Sequence, residues 1–235
     1  MVKAPMTPTP TLMPTEGVSA PHSGDMRDLL SLTQWLSPAF PVGGFAYSHG
    51  LDWAIAAGDV SNEADMFTWL CDTLEFGAGR SDAIMLGLAH RGVMAPEDLA
   101  DLAAALAASK ERWQETRAQG TAFAATTNAI LNADLPALPL PIAVGVQARR
   151  LSLPTATVAA LYLQGFAGNV TAIATRIVPL GQTAGQRVLA KAAPLIARLA
   201  EIASDATPED LATSVFRGDL AAMQHETQDV RLFLS

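Results

Sequence analysis

The sequence predicts an all-α protein folded as a single globular helical domain, and three observations carry that prediction. Apolar residues recur at helical spacing from Asp25 almost to the C-terminus. No stretch alternates apolar and polar residues for long enough to build a sheet. Prolines, glycines and capping residues cut the pattern into segments of helix length.

Residues 1–24 hold Pro5, Pro8, Pro10, Pro14 and Pro21 among Thr, Ser and Gly. They lack the apolar run of roughly 7–15 residues that a secretory signal needs, so they read as a disordered arm without export function. The helical domain is expected over 25–215. Met26, Leu29, Leu30 and Leu36 share one side of a first helix that Pro38 ends. After the turn at residues 37–46, Tyr47, Leu51, Ala54 and Ile55 continue the pattern to Gly58. Ser61 or Asn62 caps the next helix, which turns Met66, Phe67, Leu70 and Leu74 inward and runs out near Gly77. Ser81 or Asp82 starts another, with Ile84, Met85 and Leu88. Pro96, Glu97 and Asp98 place proline and acids in a first turn. A long helix follows through Trp113, Gly120 and Phe123 to Leu131. Pro136, Pro139 and Pro141 then force a non-helical connection.

Pro154 to Val178 contains a single charge, Arg176, and is long enough to span a membrane. Its apolar content is largely Ala and Gly, Gln164 and Asn169 lie near its middle, and Arg149, Arg150 and Arg176 flank it without asymmetry. It is expected to be a buried central helix, covered on all sides, with Gly165 and Gly168 allowing close backbone approach. Thr183 and Gln186 fit a capping box for the next helix, which Pro194 kinks or interrupts. Thr207, Pro208, Glu209 and Asp210 mark another start. Residues 216–235 form a mixed-charge tail that ends on Arg231, Leu232, Phe233, Leu234 and Ser235. A solvated terminus carries such apolar groups at a cost unless they dock, so the tail is expected to be mobile alone and ordered by a partner.

Composition narrows the function. In 235 residues, 15 Lys+Arg against 23 Asp+Glu give a net charge of −8, which opposes binding to nucleic acid or to an anionic membrane. The single cysteine, Cys71, excludes an intramolecular disulfide, fits a reducing compartment and sits where a small buried apolar residue is expected. No two of the four histidines lie within a helical turn, so no local pair seeds a metal site. Nucleotide-binding glycine loops are absent, and Ser48 beside His49 is a poor catalytic pair because sequence neighbours point apart. No catalytic, cofactor-binding or metal-binding residues are assigned, and the protein is not expected to be an enzyme.

The densest stretch runs from Ser37 to Asp52, where Pro38, Pro41, Gly43 and Gly44 break the backbone among Phe40, Phe45, Tyr47, Ser48 and His49. Phe45 is expected in the core. Ser48 and His49, with Tyr47, are expected on an exposed face that binds a partner.

This stretch resembles the opening motif of the urease accessory protein F (UreF) family, Ser-Pro-x-x-Pro-x-Gly-x-Phe-x-x-Ser-x-Gly-Leu followed by an acid. The tail resembles the same family's His-Glu-Thr-x-x-x-Arg-Leu-Phe-x-Ser ending at His225 to Ser235. Residues 179–186 and the helix before them make a third match; Glu115 to Gly120 makes a weaker one. Departures are Asp52 where Glu is usual, Leu234 where a second Arg is common, and Gln224 where a basic residue often sits. The resemblance implies an all-helical, homodimerising cytoplasmic protein without catalytic activity. It also implies partnership with urease accessory proteins D (also called H) and G, the latter a nickel-carrying GTPase, and docking of that complex on apo-urease during GTP-dependent nickel insertion. The expected partner-binding residues are Tyr47, Ser48, His49, His225, Glu226, Arg231, Leu232 and Phe233. The alternative reading is a helical nickel carrier or metal-dependent enzyme that uses His49, His90 and His225.

Overall fold

The computed structural model describes residues 23–211 and 216–234, and its regular structure there is helical throughout. The arm expected over 1–24 lies outside the described residues except for Ser23 and Gly24, which already belong to α1 (Ser23–Trp35). The chain then runs through α2 (Leu51–Ala56), α3 (Glu63–Glu75), α4 (Ala78–Arg91), α5 (Pro96–Ala105) and α6 (Lys110–Leu131). It closes through α7 (Leu140–Ala148), α8 (Thr155–Ile177), α9 (Gln182–Asp205) and α10 (Phe216–His225).

Local chemistry explains most boundaries. Asn62 Oδ1 accepts the backbone N–H of Ala64 and of Asp65 at the start of α3, and Ser109 Oγ accepts that of Arg112 at the start of α6. Pro96 opens α5 at the position where its missing N–H costs nothing. The proline-rich connection before α7 is held by Asn128, which donates to the Leu135 carbonyl at 2.9 Å and accepts the Leu135 N–H at 2.8 Å. Two boundaries differ from expectation. α9 begins at Gln182 behind Gly181, whose φ of 73° makes the turn, so the Thr183 box is not formed and Pro194 is accommodated inside the helix. Thr207 and Asp210 do cap each other, but around a single 3₁₀ turn at Pro208–Asp210.

α8 and α9 pack along each other, α4 lies against α7, α8 and α9, and α6 packs on α7. α8 is central in that it also meets α1, α2 and α3, and it buries Val158, Tyr162, Leu163, Phe166, Val170 and Ile173. Its covering is one-sided, however, because Gln164 and Ala172 are exposed on the opposite face. The helix covered nearly all round is α4, buried without a break from Asp82 to Ala89. The close approaches fall there too. A Cβ on Gly87 would collide with the Ala203 carbonyl, and one on Gly145 with the Leu86 carbonyl. A Cβ on Gly165 would press on the Leu36 carbonyl at 3.3 Å, a tight but less severe approach, and Gly168 faces open space. α8 is long and apolar enough to cross a membrane, and it is the only such helix among the described residues. Cys71 is half-buried on α3.

Candidate functional site

The opening loop departs from the helix start that its pattern suggests. After a 3₁₀ turn at Gly44–Ala46, Tyr47 is extended and half-buried, and α2 begins only at Leu51. Between them His49 (φ 54°) and Gly50 (φ 76°) are consecutive left-handed residues. For a histidine this conformation costs about 1–2 kcal/mol and persists only where its surroundings impose it. Gly50 is required on a second ground: the backbone nitrogen of Ala222 in α10 passes 2.8 Å from where a Cβ would stand. The reversal turns Ser48 fully inward, where its Oγ accepts the N–H of Asp52 at 3.2 Å. Phe45, expected in the core, is instead 63% exposed. The exposed face expected of Ser48 and His49 does not exist, because the left-handed pair directs both into the domain.

His49 enters a buried charged cluster drawn from three helices. Arg112 of α6 grips Asp82 of α4 with Nη2 at 2.8 and 2.6 Å from its two carboxylate oxygens, and Nη1 lies 3.3 Å from Glu115 Oε1. Tyr162 of α8 donates its hydroxyl to Asp82 Oδ2 at 2.7 Å, and Gln119 donates to Glu115 Oε1 at 3.1 Å. His49 Nε2 stands 3.4 Å from Glu115 Oε1, its ring rests on Phe166 with centroids 4.6 Å apart, and its Nδ1 is buried without a hydrogen-bond partner among the described residues. Burial first, and the Arg112 charge second, hold the His49 pKa down to about 3 although Asp82 opposes them. The imidazole is therefore neutral near pH 7. Burial and the neighbouring Asp82 raise the Tyr162 hydroxyl well above its ordinary value. Burial pulls Arg112 down, but Asp82 and Glu115 more than offset it, so its guanidinium stays charged. Cavities of about 90 and 80 Å³ flank the cluster, and His49, Asp82, Arg112 and Glu115 line both.

Next to this cluster the C-terminal segment is clasped by the domain itself. His225 is fully buried, with Nδ1 2.7 Å from Glu111 Oε2 and Nε2 3.5 Å from Asp52 Oδ2. Arg231 donates from Nη1 to Glu111 Oε1 at 2.7 Å and turns its remaining donors to the Gln228 and Glu226 carbonyls. Glu226 Oε1 accepts the backbone N–H groups of Lys110 and Glu111 at the start of α6. Asp52 Oδ2 accepts the N–H of Leu232 at 2.8 Å and of Phe233 at 3.3 Å, and the Leu234 N–H donates to the Ala46 carbonyl at 2.7 Å. Phe233 packs half-buried against the core, while Val230, Leu232 and Leu234 are exposed, as are Met223 and Leu220 of α10. The segment expected to stay mobile without a partner is thus docked in cis.

Of the predicted site residues, His225, Glu226, Arg231 and Phe233 meet in this clasp, Leu232 joins it through its backbone, and Ser48 and His49 lie beneath it. Tyr47 is half-buried in the loop before them. The three histidines of the metal reading do not converge: His90 pairs with Thr155 Oγ1 at 2.8 Å, between α4 and α8, while His49 and His225 each have other partners. Among the described residues no group of three or more His, Cys, Asp or Glu is arranged to hold a metal ion. Sequence reasoning missed Asp82, Glu111 and Arg112, whose partners lie about 30 to 120 positions away. Its one signal was the weak family match at Glu115 to Gly120.

Fold and site together describe an all-helical protein with a buried charged cluster beside a C-terminal segment that the domain itself clasps. A UreF family model matches residues 60–193. The urease accessory protein UreF of Cereibacter sphaeroides (strain KD131 / KCTC 12085) is 56% identical over 205 residues, 87% of this chain and 97% of the relative. Proteins of the same name from Dinoroseobacter shibae and Ruegeria pomeroyi are 48% and 44% identical, covering 87% and 88% of this chain and 97% and 96% of themselves. The chain belongs to the urease accessory protein UreF family, and it is an accessory protein, not an enzyme.

Proposed function

We propose that this protein is a urease maturation scaffold of the cytoplasm. It homodimerises and forms a complex with accessory proteins D/H and the GTPase G that supports GTP-dependent nickel insertion into apo-urease. Its work is differential binding: a scaffold shifts a GTPase between states only by the difference in its affinity for them. Residues 216–235, with Tyr47 and the loop around Ser48 and His49, form the docking surface for these partners. His225, Glu226 and Arg231 hold that surface in shape, and Leu232 and Phe233 give it apolar area. The observation that carries this reading is the exposure of Val230, Leu232 and Leu234 on a segment whose Leu232, Phe233 and Leu234 N–H groups and Glu226 and Arg231 side chains are already engaged within the domain.

The test is to replace Leu232 and Leu234 by Asp, which leaves their cis backbone hydrogen bonds available, and to measure capture of purified accessory proteins D/H and G. Loss of capture by a folded variant is expected. Undiminished capture removes the tail from the interface.

A further inference from the structure

His49 is placed to do more than fill the core. Its side chain leads inward to Glu115, 3.4 Å away, and to Phe166. Its backbone leads outward, because two of the next three residues, Gly50 and Asp52, receive the C-terminal segment. Gly50 lies under the Ala221–Ala222 backbone of α10, and Asp52 accepts the N–H groups of Leu232 and Phe233. The backbone N–H of Asp52 is held in turn by Ser48 Oγ, the neighbour on the other side of His49. A single left-handed non-glycine residue therefore joins a charged cluster tied to α4, α6 and α8 to the seat of the tail. A histidine left to its own preferences takes this conformation only rarely, and Gly50 alone does not fix the direction in which the loop leaves.

We infer that His49 is a positioning residue for the C-terminal segment: anchored by Glu115 and Phe166, it holds the loop in the one shape that lets Gly50 and Asp52 seat the tail. This inference deepens the proposed function, since it names what controls the docking surface.

Amide hydrogen exchange on the full-length protein tests it, comparing Leu232, Phe233 and Leu234 with Leu163 to Val170 in α8. His49→Gly satisfies the left-handed backbone but removes the anchor. It is expected to speed exchange of the three tail amides roughly tenfold or more while the α8 amides keep their protection. His49→Gln keeps a donor near the position of Nε2 together with the backbone penalty, and is expected to restore most of the tail protection. Unchanged tail exchange in His49→Gly, equal loosening in both variants, or parallel loosening of α8 overturns the inference. Capture of accessory proteins is scored on the same samples. A loosened tail with undiminished capture leaves the positioning role standing and overturns the functional reading; a protected tail with lost capture does the reverse.

Discussion

The carboxylate of Glu226 lies over the first turn of α6, accepting the Lys110 N–H at 2.9 Å and the Glu111 N–H at 3.4 Å. Ser109 already caps the Arg112 N–H there, so the tail supplies acceptors for two further donors that the helix leaves open. An anion at a helix N-terminus also meets the positive end of its dipole. Glu226→Ala is expected to cost about 0.5–1.5 kcal/mol, read as a lowered denaturation midpoint at constant slope. Glu226→Gln should keep part of this because its amide oxygen still accepts. An alanine variant as stable as the parent shows that the tail contributes nothing to α6.

The buried cluster gives a larger effect. Asp82 is 5% exposed and neutralises Arg112 while accepting the Tyr162 hydroxyl. Removing it takes the closer carboxylate from Arg112, leaving Glu115 at 3.3 Å to balance the charge, and strands the Tyr162 hydroxyl, so Asp82→Ala is expected to destabilise the domain by about 1–3 kcal/mol or more. Surface pairs such as Arg187 with Glu63 contrast with it: solvent screens them, so Glu63→Ala should leave the unfolding midpoint close to that of the parent. Equilibrium unfolding of the two variants side by side checks the ordering. Equal costs would mean that the cluster is hydrated rather than buried.

Helices were legible because their signals are local. Asn62, Pro96 and Ser109 sit where caps and first turns need them, and apolar spacing carries the rest. The site was only half legible. His225 and Arg231 were recognisable as tail residues, but their acceptors Asp52 and Glu111 are contributed by distant helices. The orientation of Ser48 and His49 was misread for a definite reason. Treating Tyr47 as the start of a helix rotates the following residues by helical steps, whereas two left-handed residues reverse the chain there. Periodicity carries no information across such a reversal.

Glycines provide a paired test of which helix lies deepest. A methyl on Gly87 meets the Ala203 carbonyl, and the two backbones have nowhere to move, so Gly87→Ala is expected to cost about 1–3 kcal/mol or more. Gly168 sits in the middle of α8 with nothing within reach of a Cβ. Gly168→Ala should therefore stabilise the protein by up to about 1 kcal/mol through helix propensity alone. Thermal melting separates the two by sign. A destabilising Gly168→Ala would mean that α8 is covered on the side where Gln164 and Ala172 are exposed.

Acid sensitivity follows from His49. In the folded chain it accepts a proton only near pH 3, whereas an unfolded histidine does so near its ordinary value of 6.5. Between these values the unfolded state binds more protons. The stability contributed by the neutral ring is thus complete above about pH 6.5 and is lost as pH falls toward 3. The slope from this residue approaches about 1.4 kcal/mol per pH unit in the middle of that window. His49→Gln, which cannot titrate, should flatten the acid limb of a stability–pH curve between pH 6 and 4 without changing its alkaline side. An identical acid limb in the variant would mean that His49 takes up its proton in the folded state as readily as in water.

Phe45 carries the last prediction. It stands 63% exposed on the 3₁₀ turn whose last residue, Ala46, accepts the Leu234 N–H, so this ring and the exposed tail side chains belong to one neighbourhood. A large aromatic group held there adds little to the fold, and Phe45→Ser is expected to shift stability by no more than about 0.5 kcal/mol. Truncating an aromatic anchor in a partner interface typically costs about 2 kcal/mol or more, or some thirtyfold in affinity. Titration of accessory proteins D/H and G against parent and Phe45→Ser protein, with thermal melts of both, reads the two quantities independently. A drop in affinity at unchanged melting temperature places the ring in the interface. Unchanged affinity confines docking to the tail side chains, and a large fall in melting temperature would return Phe45 to the core position that its sequence context suggested.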